Sequence, residues 1–189
     1  MPPTLGSLRE VRIVLLGDSH LARINRDLPR LGQNVVNAAV GGATVHDLDA
    51  QAVAASVGHD DVLVLSIGTN DSAPWQAVPV SAFAAALEQF LGSWDVRRWV
   101  IILPPGVDER RLDSAGDRTN ALLSEYRSAQ IGAAATVDAR LLNSRALLLP
   151  LGSRAFAQDG LHLSGKGYRV LLPALASVIA SEMPSQGLR

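Results

Sequence analysis

The stretch Val11–Arg23, VRIVLLGDSHLAR, decides how the rest of this 189-residue chain is read. Val11–Leu16 is a short apolar run rich in β-branched residues. It stops at Gly17-Asp18-Ser19, and apolar positions at helical spacing (Leu21, Ile24, Leu28) begin at once. This order predicts a buried strand, a tight turn and the start of a helix. Ser19 falls at the turn, at the carboxyl end of the strand. There a hydroxyl can face a crevice while nearby backbone N–H groups point the same way. Ser19 is therefore a candidate nucleophile. A serine at that position can equally serve as a helix cap.

Outward from this stretch the same alternation repeats. Asn34–Ala38 reads as a second strand and runs into a glycine turn, Val40-Gly41-Gly42-Ala43. Thr44 is placed to cap a helix over Val45–Val57. Asp61–Ile67 is nearly continuous apolar sequence, as a strand covered on both faces should be, and it ends at Gly68-Thr69-Asn70-Asp71. Ser81 is expected to cap a helix over Ala82–Leu91, on which Phe83, Leu87, Phe90 and Leu91 share a face. Trp99–Leu103 is a fourth strand, stopped by Pro104-Pro105-Gly106. Asp113 or Ser114 is expected to open a helix over roughly Ala115–Ala129. Ala135–Asp138 is expected as a fifth strand. Leu141–Phe156 is apolar but irregular, and Ser164 opens a last helix over Gly165–Ala180.

Five strands alternating with helices predict an α/β protein: a parallel sheet with helices on both faces, a three-layer α/β/α sandwich. Length and the lack of an internal repeat or linker predict a single domain over residues 1–189, with its core at about 11–181. In such a sheet the functional crevice lies beyond the carboxyl ends of the strands. The turns at Gly17-Asp18-Ser19, Gly41-Gly42 and Gly68-Thr69-Asn70-Asp71 are therefore expected on one rim.

Composition narrows the chemistry. Hydrophobic residues make up 48% and charged residues 19%, with a formal net charge of −1 and no basic stripe. Aromatic residues are 4%. Nucleic-acid binding is not expected from this balance. The absence of cysteine excludes disulfides, thiolate catalysis and zinc–sulfur sites. No stretch reads as a signal peptide or a membrane span, so a cytoplasmic location is expected. His20, His46 and His59 fall on different elements, so no metal site is expected.

Near the end of the chain stands Asp159-Gly160-Leu161-His162. An aspartate three residues before a histidine, on a glycine bend, can share one loop with it. Serine hydrolysis needs a hydroxyl, an imidazole to take its proton, and a carboxylate that holds the imidazole tautomer. Ser19, His162 and Asp159 are those chemical types. An oxyanion also needs donors. The N–H of Ser19, the N–H of Gly42 and the amide of Asn70 are suitable, while an ordinary turn at either of the last two explains them as well.

Gly17-Asp18-Ser19, the turn NAAVGGAT from Asn37 to Thr44, Gly68-Thr69-Asn70-Asp71 and Asp159-Gly160-Leu161-His162 stand in the order of the SGNH, or GDSL-type, hydrolases. The chain resembles that superfamily from Val11 to its last helix. The resemblance implies a flavodoxin-like fold, Ser19 as nucleophile and oxyanion donor, Gly42 and Asn70 as the other donors, His162 as base and Asp159 as its partner. Gly41 is the reserve for Gly42. It implies no cofactor. His20 stands where the eponymous motif has leucine, and there is no Gly-x-Ser-x-Gly elbow of the α/β-hydrolases. The expected activity is a serine esterase acting on a small acyl ester or thioester through an acyl-enzyme. An acyltransferase with the same triad, and a non-catalytic binding module, are the alternatives. His20, Asp71 and Trp75 are candidates for substrate contact. The leucines of Leu141–Phe156 can line an acyl site or simply pack, and Arg145 or Arg154 can meet an anionic group. Oligomeric state is not legible in the sequence.

Overall fold

The structure, a computed structural model, describes residues 11–112 and 117–183. Five strands form one parallel sheet: β1 (Ile13–Gly17), β2 (Val35–Asn37), β3 (Val62–Ser66), β4 (Arg98–Leu103) and β5 (Arg140–Asn143), in the order β2-β1-β3-β4-β5. This is the flavodoxin-like order, in which the direction of winding reverses between β1 and β3. Around the sheet lie α1 (Ser19–Ala22), α2 (Leu48–Ala54), α3 (Val80–Ser93), α4 (Asn120–Ala135), α5 (Ser144–Leu148) and α6 (Gly165–Glu182).

The strands are apolar on nearly every inner residue because both faces are covered, and their two-residue period sorts them between two cores. Val14, Leu16, Leu63, Leu65 and Ile101 pack with Leu48, Phe83, Leu87 and Tyr126 of α2, α3 and α4. Ile13, Leu15, Val62, Val64, Val100 and Ile102 pack with Leu21, Leu171, Leu175 and Ile179 of α1 and α6 on the other face.

Several local expectations are corrected. The fifth strand is not Ala135–Asp138: α4 runs to Ala135, Asp138 turns the chain at φ 51, and β5 is Arg140–Asn143. Leu141 and Leu142 look irregular in sequence because β5 is an edge strand, with only Leu142 of its four residues buried. The rest of the Leu141–Phe156 segment is helical, α5 followed by 3₁₀ turns over Leu149–Ala155 kinked at Gly152. Helix α3 starts at Val80 behind Pro79, and Ser81 lies inside it rather than capping it. The caps expected at Asp113 and Ser114 lie outside the described residues. Helix α4 begins at Asn120, where the Thr119 hydroxyl accepts the Leu122 N–H at 3.1 Å. The first helix is one turn long, and the chain reaches a 3₁₀ turn at Leu28–Arg30 through further turns. Thr44 forms the expected cap as a capping box with Asp47, but it opens a 3₁₀ turn (Val45–Asp47) that leads into α2. Ser164 caps α6 as expected, accepting from the N–H groups of Lys166 and Gly167.

Among the described residues, no helix is long and apolar enough to cross a membrane.

Candidate active site

The turn after β1 is held on three sides. The N–H of Gly17 donates to Oε1 of Gln51 at 2.6 Å, and Nε2 of Gln51 returns a bond to the Gly17 carbonyl at 3.0 Å. The Asp18 N–H then donates to the Ser66 carbonyl of β3 at 2.9 Å. Gly17 has φ +128, and a Cβ there would lie 1.8 Å from the Ser66 oxygen. Only glycine allows β1 and β3 to approach so closely where the chain turns. Gln51 lies on the Leu48–Ala52 face of α2, and a polar residue on an apolar stripe is the signal by which sequence could have found it.

Behind this turn, Asp18 caps α1 by accepting the His20 N–H at 2.9 Å. Ser19 is thereby the first residue of the helix. The hydroxyl of Tyr168, on α6, donates to the His20 carbonyl at 3.0 Å and ties α1 to α6.

The turns after β2 and β3 are joined by Asp71. Its Oδ1 accepts the Val45 N–H at 2.8 Å and its Oδ2 accepts the Gly68 N–H at 3.1 Å. Asn70 Nδ2 donates to the Ala43 carbonyl at 2.9 Å. An amide nitrogen has two hydrogens, so a second remains for a ligand. The Tyr126 hydroxyl lies in hydrogen-bond reach of the Asp71 and Val78 carbonyls, bracing the same loop from α4. Gly42 takes φ +83, a conformation open to glycine, and a Cβ on Gly41 would lie 4.0 Å from Ser19 Cβ. Among the described residues, the N–H groups of Ser19, Gly41 and Gly42 have no protein acceptor.

Ser19 and the Asp159 turn, far apart in sequence, meet at this rim. His162 Nε2 lies 3.0 Å from Ser19 Oγ, and His162 Nδ1 lies 2.7 Å from Asp159 Oδ2. Asp159 Oδ1 accepts the N–H groups of Leu161 and His162, both at 3.0 Å. Gly160, at φ +69, packs against the Asp108 carbonyl, so the bend tolerates no side chain. Burial pushes the Asp159 carboxyl up, but the His162 ring and these two N–H groups outweigh it and hold the group down at about 2. The carboxylate is thus charged wherever the imidazole can act as a base, and its bond to Nδ1–H leaves Nε2 bare towards Ser19.

The remaining candidates fall in different settings. His20 is 3% exposed with neither ring nitrogen partnered among the described residues, and its ring centroid is 6.3 Å from that of His162. Burial lowers its pKa to about 3, so it is a neutral ring. Trp75 is 65% exposed and carries the Arg118 guanidinium 4.9 Å above its ring. Arg118 is buried, pairs with Asp117 at 3.0 Å and leaves Nη1 unpartnered among the described residues. Nothing in the sequence marked it, because its setting depends on a residue distant along the chain, Trp75.

Asp18 Oδ2 is also buried without a partner among the described residues. Burial raises the Asp18 carboxyl to about 7 and the Asp71 carboxyl to about 6. For a carboxyl raised on folding, the native state holds the extra proton between the unfolded value and the folded one. Stability is then greatest below about 4 and declines as pH rises towards 7. Asp18→Asn keeps an oxygen for the His20 N–H and removes this titration. The variant should therefore lose less stability than the parent between pH 5 and pH 8, by up to a few kcal/mol in urea unfolding. Parallel pH profiles of the two proteins would contradict the assignment.

A hydroxyl, imidazole and carboxylate in hydrogen-bonded series, on the switch-point rim of a 2-1-3-4-5 sheet, define the class of serine-hydrolase-like α/β/α proteins. The family model of GDSL-like lipases and acylhydrolases matches residues 16–170. The chain belongs to that family and is a carboxylic ester hydrolase by that membership. No curated protein sequence matches it. Its fold is similar to that of the lipase/acylhydrolase from Enterococcus faecalis, with a TM-score of 0.73, 23% identity, and coverage of 94% of this chain and 100% of that one. It is also similar to an acetylxylan esterase from Geobacillus stearothermophilus, with a TM-score of 0.68, 18% identity, and coverage of 95% and 97%.

Proposed function

We propose that the protein is a serine esterase that hydrolyses a small acyl ester or thioester. The observation that carries the reading is the unbroken series from Ser19 Oγ through His162 to Asp159, with links of 3.0 and 2.7 Å. Ser19 Oγ attacks the carbonyl carbon while Nε2 of His162 takes the hydroxyl proton. Asp159 holds Nδ1–H and stabilises the imidazolium. The carbonyl oxygen becomes an oxyanion, met by the N–H of Ser19, the N–H of Gly42 and the free hydrogen of Asn70 Nδ2. On collapse of the tetrahedral adduct the C–O or C–S bond breaks. His162 returns the proton to the leaving alcohol or thiol, and the acyl group stays on Ser19. Water then loses a proton to His162, attacks the acyl carbon and releases the acid, with the proton passing back to Ser19 Oγ. Asp71 and Trp75 serve this reading as the brace of the Asn70 loop and as a wall of the crevice.

A fluorophosphonate probe tests the nucleophile directly. The folded protein should gain one phosphonyl adduct, mapped to Ser19 by peptide mass spectrometry, and lose ester turnover in step with labelling. Labelling at another residue, or none while ester turnover continues, would reject Ser19. Free acid, rather than an acylated acceptor, is the expected product.

A further inference from the structure

A cavity of about 640 Å³ opens beside the Asp159 turn, between the loop after β4 and the α5 segment. Its size is that of a small-molecule site. The wall nearest the triad is continuous with it: the Asp108 N–H donates to the Gly160 carbonyl at 2.8 Å, and a Cβ on Gly160 would meet Arg111 Cβ at 2.9 Å. The floor is apolar, from Val107, Leu148, Leu149 and Phe156, and Leu149 is 71% exposed. Around it stand three arginines, Arg110, Arg111 and Arg145, against two acids, Asp108 and Glu109.

The two acids are already engaged. Asp108 pairs with Arg111 at 3.2 Å, and Glu109 accepts the N–H and the side-chain amide of Asn120 at 2.7 and 2.9 Å. Arg145 and Arg110 have no acidic partner among the described residues. Arg145 is held in place all the same. Its Nη1 donates to Asn120 Oδ1 at 2.8 Å, and room for it exists because Gly106, at φ +94, carries no side chain: a Cβ there would lie 2.8 Å from Nη1. Arginines outnumber acids around the cavity, and burial, together with the charge of Arg145, lowers the pKa of the neighbouring Arg127. A held, unpaired guanidinium over an apolar floor matches an anion attached to a short apolar chain.

We propose that this cavity binds an anionic group of the substrate, a carboxylate or phosphate carried on the acyl or the alcohol part, with Arg145 and Arg110 as its contacts. The inference rests on the esterase reading for the substrate's role, while the binding itself is tested without turnover. In Ser19→Ala protein, calorimetric titration compares monomethyl succinate with methyl butyrate, and glycerol 3-phosphate with glycerol. The anion of at least one pair should bind more tightly, and which pair responds tells carboxylate from phosphate. Adding Arg145→Gln or Arg110→Gln should reduce that preference about tenfold each, the worth of one charge-assisted contact. Arg145→Lys should restore part of it. In the Ser19 protein, the kcat/KM ratio of mono-4-nitrophenyl succinate to 4-nitrophenyl butyrate should fall in the same variants, through KM, if the carboxylate pair responds. No anion preference in either titration, or a preference that both arginine substitutions leave intact, would overturn the cavity assignment. Turnover that survives Ser19→Ala would instead sink the serine reading.

Discussion

Ser19→Ala should lower kcat on 4-nitrophenyl acetate by about 10⁴–10⁶-fold, with no loss of stability. The range is set by the cost of removing a serine nucleophile while the oxyanion donors stay in place. His162→Ala should fall in the same range, and the double variant should be no worse than either alone, because the proposed mechanism uses the two residues as one unit. Asp159→Asn should cost about 10⁴-fold, since an amide can hold the ring in the wrong tautomer. Folding should survive all of these. Among the described residues Ser19 contributes no side-chain hydrogen bond beyond that to His162, and α1 is capped by Asp18 and tied down by Tyr168. Activity assays paired with thermal melts check the set. A Ser19→Ala protein that melts normally and keeps wild-type turnover would place the chemistry elsewhere.

The second large effect is on the fold. Gly17→Ala should destabilise the protein by at least about 3–4 kcal/mol, a large share of the stability of an ordinary domain. Two costs add. The backbone at φ +128 is strained for any side chain, and the new Cβ would overlap the Ser66 oxygen at 1.8 Å. Relief requires β1 and β3 to part where the Asp18 N–H bonds Ser66, which also frees the Gln51 clamp. Gly92→Ala is the contrast. It lies inside α3, where a Cβ meets nothing within 4 Å, and alanine there should add up to about 1 kcal/mol. Urea unfolding of both variants decides. Equal behaviour of the two would show that the β1–β3 turn is not the constraint described.

Asp18 shows how the two effects meet. Its N–H closes the β1–β3 turn and its carboxylate caps the helix that carries Ser19, so sheet and site share one residue. The same burial that makes Asp18 a firm cap leaves Oδ2 without a partner among the described residues.

The layering of the fold is legible in the apolar pattern of the strands. Val14, Leu16, Leu63 and Leu65 alternate with Ile13, Leu15, Val62 and Val64, and a run apolar on both faces belongs to an inner strand of a covered sheet. Local chemistry was legible for the same reason: Thr44 and Ser164 cap the helical turns that start at Val45 and Gly165 because capping involves residues only a few positions apart. The bend that lets Asp159 reach His162 is equally local. The remainder follows from long-range packing. It placed β5 at Arg140–Asn143, since a four-residue edge strand with one buried side chain shows neither an alternating nor a long continuous apolar pattern. It brought Ser19 to 3.0 Å from His162 across 143 positions, buried Arg118 against Trp75, and set Arg145 over a cavity walled by Asp108 and Phe156. Contacts of that kind depend on how the crossovers stack the loops at the sheet's rim, and no short window along the chain contains both partners.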